Sequence, residues 1–370
     1  MSKLITNTIR HTGASSDSLT FNSDGHATVE NNLTVDGTST LTGNVTASGT
    51  LTASNFSGRN KVINGQFNVW QRATTSGSVT ASGYNSADRW YINQSGATST
   101  TSRQAFTVGQ TDVPSNPRYY LRMNATTANN NAGIEQRVED VDTVQGEHTL
   151  SFWVKGTAPA GGNFDVRIFQ NFGSGGSTAT EANLGTCSVS GSWVKKTFTF
   201  TPTSLSGKTV GTSSYFQISI RQPDSDGTTT AWTLDIANVQ LEVGDTATEF
   251  EHRSYGDDLA RCQRYYYRHV DDNTDAIGVG GWYTASMFTT HVGFPTTMRS
   301  APTLEKTSGT NYYRVWSSGT NQDGDDVAME RNSITGCVLD FSTNFSGTAG
   351  AGGNVNTSNA AAKISFNAEL

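Results

Sequence analysis

"NFDVRIFQNF", residues 163–172, sets Phe164, Val166 and Ile168 on one side and Asp165 and Arg167 on the other. Strand side chains point alternately to opposite faces, so a period of two describes a strand with one apolar and one wet face. The pattern returns in "HTLSFWVKGT" (148–157), "SWVKKTFTFTP" (192–202), "SYFQISIRQP" (214–223) and "TLDIANVQLEVG" (233–244), each bounded by Gly, Pro, Ser or Asp. Antiparallel strands at this spacing predict a jelly-roll β-sandwich over residues 61–250.

Composition agrees with an all-β chain. Of 370 residues, 34% are hydrophobic and 15% charged, with Gly, Ser, Thr and Asn filling the difference, yet there are 17 Phe, 12 Tyr and 7 Trp. Disordered chains combine high charge with few aromatics, which is the opposite balance. The formal net charge is −7 and there is no basic run, so no nucleic-acid partner is expected. No apolar stretch approaches the roughly 18 residues of a membrane span, so no membrane insertion is expected. "MSKLITNTIRHTG" has no apolar signal core, so secretion by a leader is not expected. Cys187, Cys262 and Cys337 are odd in number and far apart, and are read as free thiols of a chain made in a reducing cytosol.

Outward from the sandwich the texture changes. "NLTVDGTSTLTGNVTASGTLTASN" (32–55) has glycine every six residues, at Gly37, Gly43 and Gly49, with small apolar residues between. A six-residue β unit cannot bury its inner face alone; three wrapped chains bury more and leave fewer open edges. Residues 31–60 are therefore expected to form a short trimeric β shaft, with a flexible linker as the alternative. Beyond the sandwich, "GDDLARCQRYYYRH" (256–269) reads as a short helix capped by Asp257 or Asp258 and running into a strand. It opens a smaller C-terminal β domain, 251–370, whose last part, 306–370, either forms a tip or folds back.

Signatures of catalysis are missing. There is no GxSxG, HExxH or HxH, and "SGKT" (206–209) has Pro202 where a phosphate loop needs glycine. The six histidines lack metal-ligand spacing. Glu135, Glu139, Asp140 and Asp142 cluster in sequence and are the residue types a glycosidase pairs across a sugar bond, but read first as a solvated strand end. "DDNTDAIG" (271–278) and the "DSDG" at 224–227 suit acidic turns better than calcium loops. No cofactor is expected.

Several stretches resemble a known family. "LTVDGTSTLTGNVTASGTLTASNF", "KVINGQFNVWQRATT" with "SADRWYI", "ANVQLEVGDTATEFEHRSYGDDLARCQRYYYR" and "VGFPTTMRSAPTLE" are similar to tail fibre and receptor-binding proteins of tailed bacteriophages. The middle domain resembles jelly-roll carbohydrate-binding modules. The likeness covers residues 30–305, and the "NVQLE…RSYGDDLARCQRYYYR" string is its most specific part. It implies a homotrimer in the virion tail, assembled in the host cytoplasm. Segment 1–30 would attach to a tail or baseplate protein, and the distal domains would bind host surface glycan. It also implies Asp235 as the ligand of a structural calcium ion.

A pyranose stacks its apolar face on an aromatic ring and offers hydroxyls to amides around it. Trp282 and Tyr283 after "GVGG", Tyr312, Tyr313 and Trp316 in a Ser/Gly/Asn-rich setting, and Trp232 at a strand start are the candidate glycan contacts. Trp70, Trp90, Trp153 and Trp193 are expected to be core or packing residues, and the tyrosine run Tyr265–Tyr267 to be structural. Two other classes remain open: a polysaccharide-degrading tailspike enzyme and a purely structural virion protein.

Overall fold

The computed structural model of the chain describes residues 58–370 apart from 97, 128–130, 160–161 and 224–230, together with Thr8–Ile9, Leu19–Phe21 and Ala27–Val29. The chain divides into two compact units, Met1–Leu51 and Thr52–Leu370. In the first, strands β1 (Thr8–Ile9), β2 (Leu19–Phe21) and β3 (Ala27–Val29) pair antiparallel in sequence order. The hexads of 32–55, and with them the expected shaft, lie outside the described residues, as do Asp224 and Asp226.

The second unit holds two β domains. The first begins with β4 (Trp90–Ser95), β5 (Thr98–Ala105), β6 (Tyr119–Thr127), β7 (Asn131–Glu139) and β8 (His148–Thr157). It continues with β9 (Asn163–Asn171), β10 (Thr180–Ser188), β11 (Val194–Phe200), β12 (Tyr215–Arg221) and β13 (Trp232–Val243). A front sheet runs β10-β9-β12-β7-β4 and a back sheet runs β11-β8-β13-β6-β5, antiparallel throughout. This is the jelly-roll sandwich. The apolar phase of each strand fills its interior: Phe164, Val166 and Ile168 from β9 and Phe216, Ile218 and Ile220 from β12 pack with Leu150, Phe152 and Val154 from β8. Each such side chain contributes about 1.5–3 kcal/mol by leaving water.

α1 (Tyr255–Gln263) leads out of the sandwich and is the one α-helix among the described residues. Its cap is Ser254 rather than an aspartate: the Ser254 hydroxyl accepts from the Asp257 amide at 3.1 Å, while Asp258 is buried. The second domain then adds β14 (Tyr266–Val270), β15 (Ala276–Thr284), β16 (Met287–Gly293), β17 (Thr303–Lys306) and β18 (Tyr313–Ser317). β19 (Thr320–Gly324), β20 (Ala328–Glu330), β21 (Gly336–Phe341), β22 (Gly352–Thr357) and β23 (Ile364–Asn367) complete it. A three-stranded sheet runs β14-β23-β17 and a seven-stranded sheet runs β19-β18-β22-β15-β16-β21-β20. Residues 306–370 thus fold back, with β22 between β18 and β15 and β23 between β14 and β17. No described helix is long and apolar enough to cross a membrane.

The two β domains meet at a seam of arginines. Arg89, 1% exposed, pairs with Glu369 and lies 3.4 Å over the Tyr265 ring. Arg72 reaches the same carboxylate at 3.4 Å and lies 3.6 Å over Tyr266. Gln71 donates to the Tyr266 carbonyl at 2.7 Å, and Arg299 to the carbonyls of Ala368 and Glu369. Cys187 sits in the sandwich core, Cys262 on the buried face of α1 and Cys337 in the second core, all free and buried.

Asp88 is buried at this seam, accepting from the Gln71 amide at 2.8 Å. Its carboxyl is pushed up to about 6, by burial first, with Arg72 and the Gln71 hydrogen bonds opposing. A carboxyl whose folded pKa exceeds the unfolded value of about 3.9 binds its proton more tightly when folded, so its stabilisation is present below that value and is lost as pH rises through about 6. Between pH 4 and 7 the native chain should therefore lose up to roughly 3 kcal/mol relative to Asp88→Asn, read from urea unfolding midpoints. A gap between the two proteins that does not change with pH would refute this.

Candidate functional site

The wet phase of the front-sheet strands builds a groove. Register places Phe169, Gln217 and Arg137 in one row across β9, β12 and β7, and Arg167, Ser219, Glu135 and Tyr91 in the next across β9, β12, β7 and β4. Asn93, Arg221 and Glu181 border them around a cavity of about 190 Å³. Sites that engulf drug-sized ligands run to roughly 300–1,000 Å³, so this one suits a single ring or branch. Gly133 permits the close packing on one side: a Cβ there would lie 2.3 Å from Arg221 Cβ and 2.6 Å from the Ile220 carbonyl.

Its floor is polar and its flank aromatic. Glu135 is 3% exposed, accepting from Asn93 Nδ2 at 2.6 Å and the Ser219 hydroxyl at 3.5 Å. Burial raises its pKa above the ordinary carboxylate value, tempered by the Asn93 bond and by Arg137 and Arg221. Arg167 pairs with Asp165 at 2.7 Å and Glu181 at 3.1 Å, and Arg221 reaches Glu181 at 3.4 Å, so these cations are matched by carboxylates. Arg137 lies between aromatic rings, 4.3 Å from the Tyr91 centroid and 4.9 Å from that of Tyr215. Half-buried Tyr91, Phe169 and Tyr215 thus stand beside amide, hydroxyl and carboxylate groups. That arrangement can stack a flat ring and hydrogen-bond its substituents.

The aromatic candidates from the sequence do not gather there. Trp232 is 2% exposed, edge-on to Phe164, with its indole N–H donating to Gln222 at 3.1 Å. Trp282 is 3% exposed against Phe288 and the backbone of Gly347, where a Cβ would come within 2.1 Å of the indole. Tyr313 is fully buried and donates to the Thr307 carbonyl at 2.6 Å. These three are core residues, which corrects their expected role: each lies on the inward phase of its strand. Tyr312 is half-buried over Gly309. Tyr283 and Trp316 are 68% and 49% exposed, on the outward phase of β15 and β18.

Asp235 is likewise corrected. Both its oxygens accept from Arg122, at 2.6 and 2.7 Å, so the cation it serves is a guanidinium. Asp275 accepts from the backbone amides of Asp271 and Asp272, closing an acidic turn. No cluster of metal-ligating side chains occurs among the described residues. The carboxylate run is dispersed by β7: Glu135 enters the groove, while Glu139 accepts from Arg264 at 2.8 Å and Tyr265 at 2.8 Å at the seam.

Trp153 and Trp193, expected in the core, lie half-buried on the outer face of the back sheet. Trp193 packs with Phe106 and Tyr120, each 5.2 Å away. Trp153 borders a cleft of about 400 Å³ with Phe250, His252 and Asn238, but the Asn238 amide is already engaged with Gln66, Pro114 and Ser115. A cleft of about 600 Å³ beside α1 has no Trp, Tyr or Phe in its lining. The front groove is therefore the candidate site. Its residues carry a sequence signal of their own: the second phase of β7, β9 and β12 is mostly polar and is interrupted by the aromatics Phe169 and Tyr215.

The Asn93 hydrogen bond favours the charged form of Glu135. Asn93→Ala should move the Glu135 pKa still higher, read by ¹³C carboxyl titration, and an unchanged or lower value would rule out this role for Asn93.

No family model matches the chain, and no curated protein matches it. Among solved structures, it is similar to the CBM22-1 xylan-binding domain of Paenibacillus barcinonensis Xyn10C at 15% identity and a TM-score of 0.27, over 43% of this chain and 87% of that one. It is similar to the CBM22-1–GH10 modules of Clostridium thermocellum Xyn10B at 12% identity and a TM-score of 0.30, over 51% of this chain and 29% of that one. The enzymatically active domain of bacteriophage CBA120 tailspike protein 4 is similar at 15% identity and a TM-score of 0.28, over 50% of this chain and 21% of that one. Likeness this remote assigns no site, and the groove stands on its own geometry.

Proposed function

We propose that the protein is a non-catalytic attachment fibre of a tailed bacteriophage whose jelly roll grips a host-surface glycan in the front-sheet groove. The observation that carries the glycan reading is the polar floor of Asn93, Glu135, Gln217 and Ser219 beside Tyr91, Phe169 and Tyr215. A sugar needs both parts: a ring face to lie on, and fixed donors and acceptors for its hydroxyls. The fibre reading is supported by the sequence string from "NVQLE" to "RYYYR", and by hexads that make sense wrapped three to a shaft. In this reading the chain is a homotrimer, segment 1–30 docks on a tail or baseplate protein, and the glycan is lipopolysaccharide or capsule. Three copies make a shallow, weak site effective through avidity.

On a host polysaccharide surface, Asn93→Ala and Ser219→Ala should each weaken retention of the full chain by about tenfold, the worth of one good hydrogen bond to the ligand. Unaltered retention would remove the groove from the proposal. Light scattering on the same protein should give three times the 39.5 kDa chain mass, and a monomer would remove the shaft.

One observation favours a hydrolase instead: the buried Glu135, whose raised pKa suits a general acid. In the binding reading, incubation with host polysaccharide releases no reducing ends. Release that disappears in Glu135→Gln would establish the enzyme.

A further inference from the structure

The seven-stranded sheet of the C-terminal domain leaves an unusual outer face. Of the exposed large hydrophobic residues, Val279, Tyr283 and Trp316 share it. Trp316 opposes Asn354 on β22, and Asn354 opposes Val279 on β15, in one row across three strands. Two residues further along, Gly352 opposes Gly281, and two beyond Gly281 stands Tyr283. Trp316 and Tyr283 therefore rise on either side of backbone that carries no side chain.

Packing does not call for glycine at these two positions. A Cβ at Gly281 would meet the Ala351 carbonyl at 3.4 Å, and one at Gly352 the Gly280 carbonyl at 3.8 Å, both ordinary contacts. Gly280 and Gly353, on the inward phase, differ: a Cβ there would fall 1.9 and 2.3 Å from a carbonyl oxygen. Glycine inside a strand weakens it, and marks places where a ligand approaches the backbone closely.

Size and charge identify the occupant. From Trp316 to Val279 is two strand spacings, about 10 Å, and from Val279 to Tyr283 is four residues, about 13 Å. That area of about 130 Å² falls far short of the roughly 800 Å² per partner of a stable protein interface, a second copy included. The basic groups of this face are Arg314, held by Asp323 at 2.5 and 2.8 Å, and the exposed imidazole of His291 on β16 beside Val279. Asp340, across from Thr289, adds a carboxylate that repels anions.

We propose that Trp316, Tyr283 and the bare Gly281–Gly352 backbone form a second saccharide site, selective for a neutral hexose ring. The ring lies flat on the glycines between the two aromatics, with the Asn354 amide, two residues from Gly352, at its edge. The site is on a different domain from the groove and stands without it.

The test uses the full chain labelled with 5-fluorotryptophan. Its seven Trp give separate ¹⁹F signals, and the one missing in Trp316→Phe is Trp316. Methyl glucoside, galactoside and mannoside are titrated, with the matching hexuronates beside them. The Trp316 signal should shift saturably with at least one neutral glycoside and more weakly with its uronate. It should persist in the groove variant Asn93→Ala, whereas Gly281→Val, with an unchanged melting curve, should weaken it at least about tenfold. A signal unmoved by every neutral glycoside, moved better by uronates, unaffected by Gly281→Val or lost in Asn93→Ala would overturn the proposal. So would a shift on raising protein concentration alone, which would mark a second copy.

Discussion

The Arg89–Glu369 pair is the constraint on which the arrangement of the second unit depends. Both charges are nearly out of water, a state that is tolerable only while each has the other. Tyr265 adds a ring face to the guanidinium, and although burial pulls the Arg89 pKa down, Glu369 foremost among its neighbours raises it above the ordinary value. The pair joins residues 280 positions apart in sequence, binding the residue that leads into β4 to the end of the second domain. Its reach extends to the groove. Arg89 also donates to the Arg137 carbonyl, and the Arg137 side chain donates to the Leu370 carbonyl while lying between Tyr91 and Tyr215. The groove's aromatic flank is thus set partly by a residue of the other domain.

Strand existence and class were legible in the sequence because period-two alternation is a local property. The apolar phase of β9 and β12 is the sandwich core, and the second phase is the groove floor. What was misread was phase at single aromatics. "SFWVK" places Phe152 and Val154 inward, so Trp153 faces out, although a tryptophan inside an alternating strand reads as core by residue type alone. Trp282 and Tyr313 are the converse case: small polar residues surround them in sequence and suggest a surface, while their strand phase points inward. The glycine that admits the Trp282 indole is Gly347, far from it in sequence. Asp235 was unreadable for another reason: its partner Arg122 is 113 residues away, and only the β6–β13 register brings them together.

The two domains use the same two-sided logic for different surfaces. In the front sheet the outward phase is crowded, with ion pairs matching charge around Glu135 and a glycine that close packing demands. In the seven-stranded sheet the outward phase is sparse, with two exposed aromatics over open backbone. Crowding makes a recess and sparseness makes a platform, and both leave the cores behind them intact.

The distribution of thiols has a practical consequence. One lies in each core and one on the helix that joins them, and burial pushes Cys187 up to about 11, Cys337 up to about 12 and Cys262 well above the ordinary thiol value. None can react while its surroundings stay closed, because the thiolate is the nucleophile and must reach solvent. Each cysteine is therefore a built-in clock for its own region. The rates at which a thiol reagent captures the three, resolved by peptide mass, report how often the sandwich, the joint and the C-terminal domain open separately, without a single engineered probe.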